Sequence, residues 1–177
     1  NGDGAESTGF ELSSQYFILP NLSISGAYAW TNAQLTQDAP DLFAPGVGAF
    51  SGDRLPGSPE HQIYLATHYE MPLRDGSQVD FDWSMSAQSD VITKVGERDF
   101  GESMPGFALH NVSTSWVNDA WRVSLYADNV FDKYAQTGVR SDTSFIGESG
   151  DFTLRRYYHN MVRPRQVGLR FVYNFED

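Results

Sequence analysis

The chain has 177 residues, with 12 Lys plus Arg against 23 Asp plus Glu and a formal net charge of -11; this is the length of one sizeable domain, and its acidity argues against nucleic acid as a partner. Cysteine is absent, which removes disulfides, thiolate metal sites and cysteine catalysis together. No run of about 18 apolar residues occurs, so no transmembrane helix is predicted, whereas a membrane-crossing strand, signalled by only about 10 alternating residues, stays open.

The chain opens on Asn1-Gly-Asp-Gly, without an initiator Met or a signal sequence, and is expected to be mature or a fragment. Phe10, Leu12, Tyr16 and Ile18 then alternate with Glu11, Ser13 and Gln15, a period of two that predicts a strand with one apolar face. Pro20-Asn21 is a tight turn. Beyond it Leu22, Ile24, Tyr28 and Trp30 alternate with Ser23, Ser25, Ala27, Ala29 and Thr31 to complete a hairpin. Residues Ala33 to Pro59 hold four of the eight prolines and four glycines and are expected to form a long irregular loop.

His61, Ile63, Leu65, Thr67, Tyr69 and Met71 form the leading face of a third strand, which ends at Pro72 before Arg74-Asp75-Gly76-Ser77; Asp-Gly is a hairpin signal. The fourth strand sets Val79, Phe81, Trp83, Met85 and Ala87 against Asp80, Asp82, Ser84, Ser86 and Gln88. A second mixed loop, Lys94 to Pro105, is expected after it. The fifth strand, Phe107 to Val117, is poorly phased, since Phe107 and Leu109 share one face while Val112 and Trp116 lie on the other. Asn118-Asp119 turns the chain into Trp121, Val123 and Leu125, with Arg122, Ser124, Tyr126 and Asp128 opposite. A long loop between Phe131 and Val162 is expected next. In the seventh strand Val167, Leu169, Phe171, Tyr173 and Phe175 alternate with Gln166, Gly168, Arg170 and Asn174, and Val172 alone breaches the pattern. Its aromatic finish suits a membrane barrel wall, where aromatics collect at the interface.

The predicted connections alternate between short and longer ones. Outer-membrane barrels have short periplasmic turns and longer external loops, whereas hairpins of soluble barrels and sandwiches are mostly joined by about 2 to 5 residues. The expected fold class is therefore all-β, an antiparallel up-and-down meander that forms a segment of a transmembrane β-barrel. Seven strands put the chain ends on opposite sides of the sheet, and bacterial single-chain barrels have even strand numbers from about eight upward, so a larger wall is expected. The apolar side, with Leu22, Ile24, Val79, Phe81, Trp83, Val123, Leu125, Val167, Leu169 and Phe171, is expected on the convex, lipid-facing surface. Glu11, Asp80, Asp82, Arg122, Asp128 and Arg170 are expected on the concave one.

The segment Leu125-Tyr-Ala-Asp-Asn-Val-Phe-Asp-Lys-Tyr134, followed by Arg163-Pro-Arg-Gln-Val-Gly-Leu-Arg-Phe-Val-Tyr-Asn-Phe175, resembles the C-terminal end of TonB-dependent outer-membrane receptors. Gly9-Phe-Glu-Leu12 and Gly52-Asp-Arg-Leu-Pro-Gly-Ser-Pro-Glu-His61 resemble further blocks of that family, in the same order. The resemblance runs nearly end to end. It implies a 22-stranded barrel with an N-terminal plug, of which residues 1–177 supply about the last seven strands, with plug and TonB-contacting segment absent. It also implies a bacterial outer-membrane location, outer-membrane lipid and lipopolysaccharide as surroundings, TonB as a partner through the missing N-terminal region, and a small-molecule nutrient ligand. Members of the family usually stop at the terminal aromatic, whereas Glu176 and Asp177 follow Phe175 here.

Arg155, Arg156, Arg163, Arg165 and Arg170 crowd an otherwise acidic chain, and Tyr157, Tyr158 and His159 lie among them. Guanidinium forks and phenols suit an anionic ligand such as a metal chelate or phosphate, so Arg155, Arg156, Tyr157, Tyr158 and His159 are the candidate ligand-binding residues, expected at the barrel mouth. The competing expectation is that these arginines pair with Asp80, Asp82 and Glu11 on the lumen face, or with lipopolysaccharide phosphates at loop tips. Asp128-Asn-Val-Phe-Asp132 lacks the Gly and distal Glu of a calcium loop, and is expected to be a strand end whose Asn and Asp side chains bond the following turn. Gly46-Val-Gly-Ala-Phe-Ser-Gly52 has the wrong spacing for a phosphate loop. His61, His68, His110 and His159 lack metal-ligand spacing, and no Gly-x-Ser-x-Gly motif occurs. Neither an enzyme nor a bound cofactor is expected. The tryptophans and tyrosines are expected in interface girdles and strand packing.

Two functions from different classes follow. One is part of a TonB-energised outer-membrane receptor for a scarce nutrient, of iron-siderophore type. The other is a self-contained small barrel or sandwich, a binding or structural module without TonB coupling.

Overall fold

The computed structural model describes residues 4–146 and 152–175. In chain order its strands are β1 (Ala5–Leu19), β2 (Leu22–Leu35), β3 (Ala39–Ala44), β4 (Val47–Ala49), β5 (His61–Pro72), β6 (Gln78–Gln88), β7 (Val91–Ile92), β8 (Ser103–Met104), β9 (Phe107–Val117), β10 (Trp121–Asp128), β11 (Gln136–Ile146), β12 (Phe152–Met161) and β13 (Gln166–Tyr173). One short 3-10 turn, Val95–Glu97, is the helical element among the described residues.

Seven of these strands form one sheet in the order β1-β2-β5-β6-β9-β10-β13, every neighbour antiparallel. They are the seven strands expected from the alternation, and within this sheet spatial order follows chain order throughout, the β11–β12 ribbon standing apart between β10 and β13. The sheet ends on β1 and β13, so it is an open meander and neither a small closed barrel nor a sandwich. Side chains fix the short turns. The Asp75 carboxylate accepts from the backbone N–H and hydroxyl of Ser77, at 3.1 and 2.7 Å, and Gly76 supplies the φ of 87° that the turn needs. At the next turn Asn118 Oδ1 accepts from the N–H groups of Ala120 and Trp121.

Register resolves the fifth strand. Trp83 of β6 pairs with Val112 of β9, and Val112 with Ala127 of β10, so Val112 and Trp116 stand on the apolar side. Leu109 opposes Ser86, and Phe107 opposes Gln88; both are apolar residues on the polar side. The same pairings put Ile24, Thr67, Trp83, Val112, Ala127 and Val167 in one row of the apolar face. That face is bare: Phe81, Leu125 and Leu169, directly opposed through Thr114, are 43, 50 and 61% exposed. A patch of this extent is not left in water. Aromatics collect toward the short turns, where Trp121 and Tyr173 lie 4.7 Å apart and Phe175 meets Tyr173 edge-on at 4.7 Å. Glu176 and Asp177 lie outside the described residues.

The long connections are where the structure departs from expectation. Residues 33–59 are not an irregular loop: β2 runs on to Leu35, and β3 and β4 form a hairpin turned by Pro45-Gly46, with Gly46 at φ 77° and its N–H donated to Asp41 Oδ1 at 2.7 Å. Leu35, Ala39 and Ala49 are buried there against Phe43, Leu55 and Val95. Prolines and glycines mark breaks in a strand, but carry no sign of the long-range hydrogen bonds between the pieces. The segment between Phe131 and Val162 is likewise not a loop throughout, because β11 and β12 pair as an antiparallel ribbon. Within Lys94 to Pro105, Ser103–Met104 pairs with Val91–Ile92.

Candidate functional site

The polar face of the sheet is built of interlocked rows. Asp80, almost fully buried, accepts from Gln78 Nε2 at 2.7 Å and from Arg122 Nη1 at 2.9 Å. The hydroxyls of Ser115 and Ser124 meet at 2.8 Å in the same row as Asp80. In the next row the ring of His68 lies between Asp82 Oδ1 at 2.7 Å and Glu70 Oε1 at 3.2 Å, and Ser113 donates to Asp82 Oδ2 at 3.1 Å. Tyr126 packs over Gly168, and Arg170 stacks on the Tyr126 ring at 5.4 Å. Two of the three acids named as partners for the arginine cluster are thus engaged elsewhere, Asp80 by Arg122 and Asp82 by His68.

At the long-loop end two connections are braced together. Arg98 grips Asp53 through Nε and Nη2, and Arg54 donates to the Asp90 carboxylate and carbonyl at 2.7 and 2.6 Å. Backbone bonds from Gly57 N to Ile92 O and from Gly96 N to Arg54 O, both 3.0 Å, complete the seam. Arg98 also covers the Phe50 ring at 4.5 Å. The Arg98 guanidinium holds the Asp53 carboxyl below its ordinary pKa, with the Phe50 N–H assisting.

The β11–β12 ribbon carries the candidate ligand-binding residues, and its pairing splits them. Arg155, Tyr157 and His159 share one face with Thr143, Ser141 and Val139, their cross-strand partners. Arg156 and Tyr158 share the other with Asp142 and Arg140. The half-buried pair Arg155 and Tyr157 turns toward the 89–106 connection, where the Arg155 guanidinium lies 4.3 Å from the Phe100 ring centroid. Arg156, Tyr158 and Arg140 are exposed. Five consecutive residues expected to act as one group therefore form two groups, because a strand turns successive side chains to opposite sides. Arg140 was missed: its only signal was cross-strand register, which sequence does not carry. None of Arg155, Arg156, Arg163, Arg165 and Arg170 takes part in the ion pairs of the described residues.

The 128–132 segment is a structural turn. Buried Asn129, at φ 49°, accepts from Lys133 N at 2.8 Å and donates to the carbonyls of Lys133 and Arg163, both at 3.0 Å. Asp132 Oδ1 accepts from Arg165 N at 2.8 Å. Among the described residues no cluster of His, Asp and Glu is arranged to hold a metal ion.

A family model described as "TonB dependent receptor-like, beta-barrel" matches residues 1–130. Among solved structures, the ferric yersiniabactin uptake receptor FyuA from Yersinia pestis matches with a TM-score of 0.72 and 18% sequence identity, over 97% of this chain and 24% of that chain. The likeness is one of fold, and the chain spans about a quarter of that receptor's length. No curated protein sequence matches.

Proposed function

The chain belongs to the TonB-dependent receptor β-barrel family, and from that premise we propose that it forms wall and ligand-contacting loops of an outer-membrane receptor for a scarce nutrient, of the iron-siderophore type. It would supply about the last seven strands of a 22-stranded barrel. A plug and the TonB-contacting segment would come from a region N-terminal to them. The apolar face would meet lipid, the polar face the lumen, and the long connections the cell exterior. Transport of this kind needs binding and gating and no bond-making step by the wall.

The observation that carries this proposal is the exposed ribbon face with Arg140, Arg156 and Tyr158, at the same end of the sheet as the braced connections. Guanidinium forks beside a phenol suit an anionic chelate. Arg155 and Tyr157 would seat the ribbon on Phe100, with His159 on that same face and so turned away from the ligand.

The test is made in the full-length receptor with a ferric phenolate chelate as probe. Replacing Arg140 and Arg156 together by Ala is expected to weaken binding about tenfold or more, charge-assisted hydrogen bonds being the strong ones. Heat stability should not change, since exposed charges add little to folding. Unaltered affinity with a lowered melting temperature would assign the ribbon a structural role and move ligand contact elsewhere.

A further inference from the structure

The turn between β7 and β8 is wound left-handed. Gly96, Glu97, Asp99 and Phe100 have φ of 56, 57, 48 and 61°, and Arg98 between them is extended. Residues with a side chain seldom take positive φ, least of all one with a bulky ring such as Phe100, and they persist only where their surroundings hold them. Here Lys94 Nζ donates to the carbonyl and the carboxylate of Asp99 at 2.7 and 2.6 Å, and Arg98 is anchored on Asp53. The Gly101 N–H closes the turn on the Arg98 carbonyl at 3.0 Å. What the strained turn presents is Phe100, 65% exposed, on whose ring the Arg155 guanidinium of β12 rests.

The β11–β12 ribbon is stiff within itself and lightly held from outside. Its strands pair from Gln136 opposite Met161 to Ile146 opposite Phe152, yet among the described residues no hydrogen bond or ion pair joins either strand to the 89–106 connection. At its root the Val162 N–H bonds the Ala135 carbonyl at 3.0 Å, and the register slips between Gln136 and Gly138; such a bulge bends a strand. A cavity of about 180 Å³ separates Lys94, Phe100 and Glu102 from Val139, Ser141 and Tyr157 on the Arg155 face of the ribbon. Thr93 and Val139 also border a second cavity, of about 570 Å³, which reaches Gln62 and Gln88 on the polar face of the wall. One cleft therefore runs beneath the ribbon, from the strained turn to the wall.

We propose that the ribbon is a strap hinged at the Gln136–Gly138 bulge, and that the strained 96–100 turn is the catch that holds it over the cleft. With the strap down, Arg155 rests on Phe100 and the cleft is roofed. With the strap raised, Phe100 loses its cover and the left-handed turn relaxes, so the position of the ribbon and the conformation of the turn form one equilibrium. The strain keeps the catch releasable, since it offsets part of what the Arg155 contact contributes. The device does not depend on which molecule is bound, nor on the opposite ribbon face with Arg140 and Arg156.

The experiment uses the full-length receptor in detergent, with spin labels at Leu154→Cys on the ribbon and Asp119→Cys at a short turn of the wall; residues 1–177 contain no competing cysteine. Pulsed electron spin resonance reads the distance between the labels as a main population, strap down, and a second one, strap raised. Phe100→Ala and, without touching the turn, Arg155→Gln are each expected to raise the second population about two- to fivefold, the strength of an exposed cation–π contact. Glu97→Gly should act the opposite way. Glu97 is exposed and its side chain makes no hydrogen bond or ion pair among the described residues, so glycine removes a left-handed cost from the catch and takes the second population below that of the parent. A single unchanged distance in all of these proteins overturns the strap, and a rise of the second population in Glu97→Gly overturns the strained catch. Heat-modifiable migration on gels verifies that each variant is a folded barrel; should Phe100→Ala fail to fold, Arg155→Gln and Glu97→Gly decide the matter between them.

Discussion

Arg98 and Asp53 are 45 residues apart in sequence and joined at two points, with Nη2 3.0 Å from Oδ1 and Nε bonded to Oδ2. This pair closes the seam between the β3–β4 hairpin and the connection that follows β6. The Arg98 side chain is 37% exposed and that of Asp53 15%, so solvent screens the pair and it adds little to overall stability. Its larger role is to hold Phe50, whose N–H also bonds Asp53 at 2.8 Å.

Replacing Arg98 by Ala should therefore leave the barrel's melting temperature nearly unchanged but open residues 36–60 to limited proteolysis. The sign of the pH dependence follows from the lowered pKa of Asp53, caused first by the Arg98 hydrogen bond. A depressed carboxylate stabilises fully above its unfolded pKa of about 3.9, and that contribution is lost as pH falls through the lower folded value. Cleavage rates in this segment should be flat from neutral pH down to about pH 5 and rise only in stronger acid. A rise already at neutral pH would mean that the pair does not close the seam.

Gly168 leaves room for the ring of Tyr126. A Cβ on Gly168 would lie 2.6 Å from the Tyr126 hydroxyl oxygen and 2.7 Å from Cζ. Gly168→Ala should swing the free end of the half-buried Tyr126 ring away and uncover Arg170, destabilising the folded barrel by about 1 kcal/mol or less, below the usual cost of overpacking a core. Unfolding in urea measures this, and Tyr126→Ala in the same chain should recover part of the loss.

Asp80 and Arg122 should respond unequally to truncation. The Asp80 side chain is 2% exposed and that of Arg122 44%, so a stranded Arg122 can rehydrate whereas a stranded Asp80 carboxylate cannot. Arg122→Ala is expected to cost about 3 kcal/mol and Asp80→Ala about half that, since an unpaired buried charge carries the full desolvation penalty. Equal losses in denaturant titrations would contradict this order.

Asn129 combines a left-handed backbone, φ 49°, with bonds to one N–H and two carbonyls. Asn129→Asp keeps the acceptor but loses both donors, and should cost about 1 kcal/mol by leaving two half-buried carbonyls unmet. Asn129→Gly eases the backbone yet loses every side-chain bond and should be no better. Melting temperatures of the two variants decide this, and an unaffected Asp variant would refute the assigned bonding.

Much of the wall was legible in the amino-acid sequence. Alternation is a local property, so Val79 to Gln88 or Val167 to Tyr173 declares a strand and its two faces without reference to any partner. Turn chemistry is equally local, and Asp75-Gly76 and Asn118-Asp119 marked the hairpins that make the sheet a meander. Asn129 also bonds the following turn at Lys133 as its short polar side chain led one to expect, whereas Asp132 reaches across to the N–H of Arg165.

What only tertiary structure decided involves residues far apart. Phe107 and Leu109 could be assigned to the polar face once Gln88 and Ser86 were known as their neighbours. The β3–β4 hairpin and its buried Leu35, Ala39 and Ala49 depend on contacts with Val95 of another connection. Arg155 and Arg156 were adjacent in sequence and therefore read as one group, but pairing of β12 with β11 sends them to opposite faces and brings Arg140 beside the second. Sequence by itself specified which faces exist, because alternation and turn residues act over a few positions; register and long-range hydrogen bonds specified what each face meets, because those energies arise only when distant segments are brought together.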